Sequence, residues 1–250
     1  MGRAEVRARE TVALLCEDLE SVGLVKACRD LFKTVWTINI ARHEPDELGD
    51  TAMSLGLQTH QNFITRAERR HAHDEREAEE SHWNIEGLSL TRSGNAFVMN
   101  FRGARISVLK VPYEHGRKLR PDQWGKWDGQ SQLRSEMAAN NSAALGGYRS
   151  ILGVDDPLFE DAGPTFGPVR DYLLVLAGEP RSPLTSAWLG APVVGDYPLI
   201  GAQQLWVDEE PEATPVAAVS LPEGLTRFDQ LQVPEPAVTL RPKATEENHK

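Results

Sequence analysis

The sequence predicts an α+β fold: an N-terminal helical region packed on a mainly antiparallel sheet of two meanders, followed by a disordered acidic C-terminal tail. Three observations predict it. Apolar residues recur at three- and four-residue spacing through the first part of the chain. From Trp83 the period changes to two. After Val207 proline and glutamate replace the large apolar residues, leaving too little apolar surface to offset chain entropy. Residues 1–82 and 83–207, a helical region and a sheet with one inserted helix, are expected to form one domain, with 208–250 as the tail.

Each element follows from its pattern. Over residues 5–22, Val12, Leu15, Cys16, Leu19 and Val22 share one helical face, and Gly23 breaks the run. A second helix from Leu24 carries Cys28, Leu31, Phe32 and Val35 and fades by His43, before Pro45. The two should pack as a hairpin, because neither buries its stripe alone. Asp46 is a plausible N-cap for a short helix ending at Gly56. A fourth segment, Thr59 to Ser81, has Phe63, Ile64 and Ala67 in its first half and almost only charge in its second.

Leu88 and Leu90 then alternate with polar neighbours, and Ser93-Gly94-Asn95 supplies turn chemistry. Phe97, Met99 and Phe101 face one way. A type II′ turn is expected at Gly103-Ala104. Beyond it Ile106, Val108 and Lys110 alternate with Ser107, Leu109 and Val111, completing a three-stranded meander. After the loop 112–129, Gln130 to Leu145 reads as a helix with Leu133, Met137, Ala138 and Leu145 inward. Strands at Tyr172–Ala177, Thr185–Leu189 and Leu199–Val207 form the second meander. Strand order between the meanders is not readable.

Composition bounds the function. The formal charge is −10, no apolar run has the length of a membrane span, and the N-terminus has no signal-peptide core. The expectation is a cytoplasmic protein with no membrane partner. Cys16 and Cys28 fall on apolar helix positions and read as buried free thiols. GxSxG, GxxxxGK[ST] and GxGxxG are all absent, which argues against nucleophilic hydrolysis, nucleotide hydrolysis and dinucleotide redox chemistry. No cofactor is expected.

One stretch points to a ligand. Residues 101–150 carry nine Lys/Arg against four acids, although the chain is acidic. Arg102, Arg105, Arg117, Lys118, Arg120 and Lys126 have the chemistry to neutralise phosphates, and Tyr113, Trp124 and Trp127 to stack on unpaired bases. Alternatively, the two tryptophans anchor a long loop and the cations form its solvated rim.

Other constellations compete. His71, Glu75, Glu79 and His82 share one helix face and are of metal-ligand type, but one face seldom completes a site. Lys110 sits on a strand as in metal nucleases, yet Val108 stands where such a site needs an acid; Asp46, Glu47 and Asp50 could contribute acids from a distance. Asp46 to Arg70 has the outline of a helix-turn-helix, with Leu48, Ala52, Leu55, Leu57 and Phe63 as its core and Gln58, His60, Gln61 and Arg66 outward. In the tail, Leu225, Phe228 and Leu231 recur at i, i+3 and i+6, a spacing suited to docking on a protein partner. The balance favours a non-enzymatic binding or regulatory protein, with nucleic acid or a protein as partner. The alternatives are a metal-dependent enzyme acting on nucleic acid or a phosphorylated substrate, and an interaction scaffold using the tail.

Overall fold

A computed structural model describes residues 2–72, 83–93, 96–112, 131–150, 167–179 and 182–209. Over these residues the fold is α+β. Three N-terminal helices, α1 (Arg3–Ser21), α2 (Leu24–Ile40) and α3 (Ala52–Ala72), precede β1 (Leu88–Ser93), β2 (Ala96–Phe101) and β3 (Ala104–Pro112). Then come α4 (Gln132–Ala144), β4 (Asp171–Gly178), β5 (Thr185–Pro192) and β6 (Leu199–Val207). The six strands lie in one sheet in chain order. Every pair is antiparallel except β3–β4, which is parallel with Arg105 opposite Asp171 and Pro112 opposite Gly178. The two meanders are therefore joined by a crossover that contains α4.

Side-chain alternation builds three layers. Phe97, Met99, Phe101, Ile106, Val108, Tyr172, Leu174, Leu176 and Leu189 join one core with the buried stripes of α1, α2 and α3. Leu173, Val175 and Trp188 point the other way and meet Met137 of α4. Strand β4 is buried along its whole length, as expected of a central strand covered on both faces. Cys16 and Cys28 are free and buried, and burial pushes both thiols up to about 12.

Three local expectations need correction. First, no helix ends at Gly56: α3 starts after Thr51 and runs straight through. Thr51 caps it, exchanging hydrogen bonds with Ser54 (Ser54 N–H to Thr51 Oγ1, 3.1 Å; Thr51 N–H to Ser54 Oγ, 2.9 Å). Inside the helix the glycine faces Lys110; a Cβ at Gly56 would lie 3.3 Å from Lys110 Nζ. The helix-turn-helix reading falls with it, since Leu48 and Leu57 are 73% and 62% exposed rather than core.

Second, the β2–β3 turn is centred one residue earlier. Phe101 pairs with Ala104, and the two central residues, Arg102 and Gly103, have φ of 46° and 86°. Two positive values are the requirement of a type I′ turn. A left-handed arginine costs about 1–2 kcal/mol. Its guanidinium lies 4.9 Å from the Phe101 ring centroid, which returns part of that. Arg102→Asn should therefore raise stability by about 0.5 kcal/mol, read as a higher urea midpoint. A lower midpoint would mean that stacking on Phe101 outweighs the backbone strain.

Third, Asp208, expected in the tail, is a buried anchor of the body. Its carboxylate accepts from Arg29 (2.7 Å), the Thr185 amide (3.1 Å) and the Thr185 hydroxyl (2.8 Å). Burial alone would raise this carboxyl, but these bonds and nearby Lys33 outweigh it and hold it below the usual range. The compact unit extends to Glu209; residues 210–250 lie outside the described residues.

Candidate functional site

The parallel pairing of β3 and β4 sets the site. It places Arg105 beside Asp171 at the strands' N-terminal ends, and the Arg105 amide donates to the Arg170 carbonyl at 2.7 Å. The crossover helix α4 then lays Asn140 and Asn141 over the same point. Between them opens a pocket of about 390 Å³, whose walls include Asn100, Gly103, Arg105, Asn140, Arg170 and Asp171.

Its floor is rigid. Asn141 is buried and donates through Nδ2 to the carbonyls of Asp171 (2.7 Å) and Pro192 (2.9 Å), while its Oδ1 accepts from the Asp171 amide (3.4 Å). One side chain thereby ties α4 to β4 and β5. Asp171, itself buried, accepts from Arg105 Nε at 2.6 Å and from Asn140 Nδ2 at 3.1 Å. Glu136 accepts from both terminal nitrogens of Arg105 at 3.2 Å. Hydrogen bonding to Asp171, and then to Glu136, raises the Arg105 pKa further and fixes the guanidinium plane.

Two charges here are cationic, Arg105 and Arg170, and two anionic, Glu136 and Asp171, so the local sum is neutral. Among the described residues, Arg170 is exposed and its guanidinium has no partner, and the amide oxygens of Asn100 and Asn140 are likewise unpaired. The pocket thus combines fixed walls with free donors and acceptors. It lacks the net positive field that a bare phosphate would seek.

Of the residues singled out in the sequence, Arg102 and Arg105 fall at this turn, and Arg105 lines the pocket. Tyr113, Arg117, Lys118, Arg120, Trp124, Lys126 and Trp127 lie outside the described residues. The segment that carries them leaves from Pro112, at the far end of β3, roughly 25 Å from Arg105 at the rise of a strand. His71 hydrogen-bonds through Nδ1 to the Trp83 carbonyl at 3.1 Å. Its three proposed metal partners, Glu75, Glu79 and His82, lie outside the described residues. Among the described residues no group of three metal-ligating side chains converges.

Sequence reasoning missed Asn100, Asn140, Asn141, Arg170 and Asp171. Three elements or their flanks, β2, α4 and β4, supply them, brought to Arg105 by a parallel register that has no local signature. One signal was present: Asn141 stands four residues after Met137, on the buried stripe of α4, where a polar side chain must find fixed partners.

A second polar feature lies at the opposite end of the parallel pair. Lys110 continues the inward row of Ile106 and Val108, so its stem faces the helices. Its Nζ sits 4.8 Å from the Trp36 ring centroid. Burial lowers its pKa to about 8. On the same stretch of α3, His60 bonds through Nε2 to the Val108 carbonyl at 3.3 Å; burial is the main cause that lowers its pKa.

Compared with protein-family models, with curated proteins and with solved structures, the chain matches none. No helix among the described residues is long and apolar enough to cross a membrane.

Proposed function

We propose that this is a non-enzymatic binding or regulatory protein whose ligand is single-stranded nucleic acid. The observation that carries the reading is the neutral, amide-lined pocket at the β2–β3 turn. A phosphate gains little where two carboxylates already balance two guanidinium groups. An unpaired base gains more: its edge offers donors and acceptors of the kind that Asn and Arg side chains match. The volume, about 390 Å³, lies within the range of small-ligand pockets. The phosphates fall to another part of the chain in this reading. Arg117, Lys118, Arg120 and Lys126 supply the charge, and Tyr113, Trp124 and Trp127 supply stacking faces.

The two contributions separate experimentally. Asn140→Ala with Arg170→Ala should weaken binding of a short oligonucleotide by about tenfold, within the 1–3 kcal/mol of a good base-edge contact, and leave the salt slope unchanged. Changing Arg117, Lys118, Arg120 and Lys126 to Ala should flatten the slope by up to about four units. Wild-type affinity in the pocket variant, together with an unchanged slope in the loop variant, would remove the reading.

A protein partner is the second reading, favoured by one feature. Leu48, Met53 and Leu57 are 73%, 82% and 62% exposed around the start of α3, with Met53 and Leu57 one helical turn apart.

A further inference from the structure

Among the described residues five large apolar side chains are exposed: Val6, Leu14, Leu48, Met53 and Leu57. Three of the five fall within ten residues of chain, so they are not the scattered singles that any surface carries. Met53 and Leu57 stand one turn apart on the exposed side of α3, whose other side buries Leu55, Thr59 and Phe63. Leu48 lies three residues before Thr51, which caps that helix. The loop carrying Leu48 is tied down. The Leu48 and Asp50 amides donate to the Glu44 carbonyl (3.0 and 3.4 Å), and the Glu44 amide donates to the Asp50 carboxylate (3.1 Å). The apolar groups are therefore presented on a fixed backbone, which lowers the ordering cost of docking. The charge around them is mainly of one sign. From Glu44 to Thr65 the chain has four acids, Glu44, Asp46, Glu47 and Asp50, and no Lys or Arg. Glu44, Asp46 and Glu47 are exposed, and no ion pair among the described residues uses them. Two cations lie near, Arg42 on the chain and half-buried Lys110 against Gly56, and they offset only part of this charge.

We propose that the start of α3 and the loop before it dock a basic amphipathic helix of another protein. Its apolar side chains, one turn apart, cover Leu48, Met53 and Leu57, and its Lys or Arg side chains meet Glu44, Asp46 and Glu47. The inference rests on the second reading above, a protein partner, and gives that partner its chemistry. Charge decides among the occupants. A second copy in a two-fold contact would set these carboxylates against their own counterparts. An anionic lipid surface or a nucleic acid would be repelled by them. Methionine suits such a face, because its flexible thioether adapts to the shape packed against it.

The test titrates the full chain with three fluorescent peptides of about 15 residues, each with Leu at three- and four-residue spacing. The other positions are mainly Lys in the first, Gln in the second and Glu in the third. The Lys peptide should bind about tenfold more tightly than either of the others, and should weaken several-fold between 50 and 200 mM salt. Leu48→Gln with Met53→Gln and Leu57→Gln should weaken it about tenfold and leave the urea midpoint unchanged, since these side chains are exposed. Glu44→Gln with Asp46→Asn and Glu47→Gln should weaken it about fivefold and flatten the salt dependence. Asp50 stays in place because it holds the loop. Equal binding of the three peptides would overturn the basic partner and leave a protein partner standing. Lys-peptide binding that survives either set of substitutions would overturn the proposed surface. Absence of binding by all three would remove the protein-partner reading with it. Dimers of the wild-type chain in sedimentation, lost in the Leu48, Met53 and Leu57 variant, would make the occupant a second copy instead. None of these outcomes involves nucleic acid, so the pocket at the β2–β3 turn is judged separately.

Discussion

Gly178→Ala should destabilise the protein by about 3 kcal/mol or more, one of the largest effects of any single methyl group in the fold. A Cβ at this position would sit inside the Trp36 indole. The ring cannot retreat. Its N–H is held by two carbonyls and its face by Phe32, at a centroid distance of 6.3 Å. Nor can the strand move easily, since Gly178 pairs with Pro112 on one side and Thr185 on the other. For a chain of this size such a loss lowers Tm by roughly 6–12 °C. The cause is testable by a double-mutant cycle. In a Trp36→Leu background, Gly178→Ala should cost much less, because the clash is specific to the indole. A loss under about 0.5 kcal/mol in the wild-type background would contradict the packing described.

Lys110→Met should act in the opposite direction and stabilise the protein by about 1–3 kcal/mol at pH 7. Methionine keeps an unbranched stem against Trp36 and removes a desolvated charge. The pH dependence identifies the cause. The folded-state value is lowered, from 10.5 to about 8, so the unfolded chain holds the proton more tightly. The penalty is therefore full below pH 8, fades as pH rises from 8 to 10.5, and is absent above that range. The advantage of Lys110→Met over wild type, measured by urea unfolding, should shrink over the same interval. A destabilised variant, or a gain that does not change with pH, would show that the stacked ammonium is a net stabilising contact.

The two predictions describe one region, since Gly178 and Lys110 both contact the Trp36 ring.

What the sequence made legible followed from local periodicity. The alternation of Phe97, Met99 and Phe101 is uninterrupted, so β2 and its inward face were readable. The buried stripes of α1 and α2 were readable for the same reason. Errors arose where a distant residue decides a local feature. Gly56 reads as a helix stop, but α3 runs through it and turns it toward Lys110, 54 positions later. Gly103 reads as the first residue of a turn, yet Arg102 takes the left-handed conformation before it. The candidate site was legible only in part. The charge of Arg102 and Arg105 drew attention to the turn. Asp171, Arg170 and Asn140 reach that point through a parallel pairing and a crossover, and nothing in the linear pattern announces either.

The most direct test of a base-binding pocket is equilibrium titration of wild-type protein with a fluorescent oligonucleotide, single-stranded and then duplexed with its complement, at 50 and 200 mM salt. Binding that favours the single strand by at least tenfold and weakens with salt in proportion to the phosphates contacted is the predicted result. Equal affinity for single strand and duplex, or no binding at the lower salt, would contradict it.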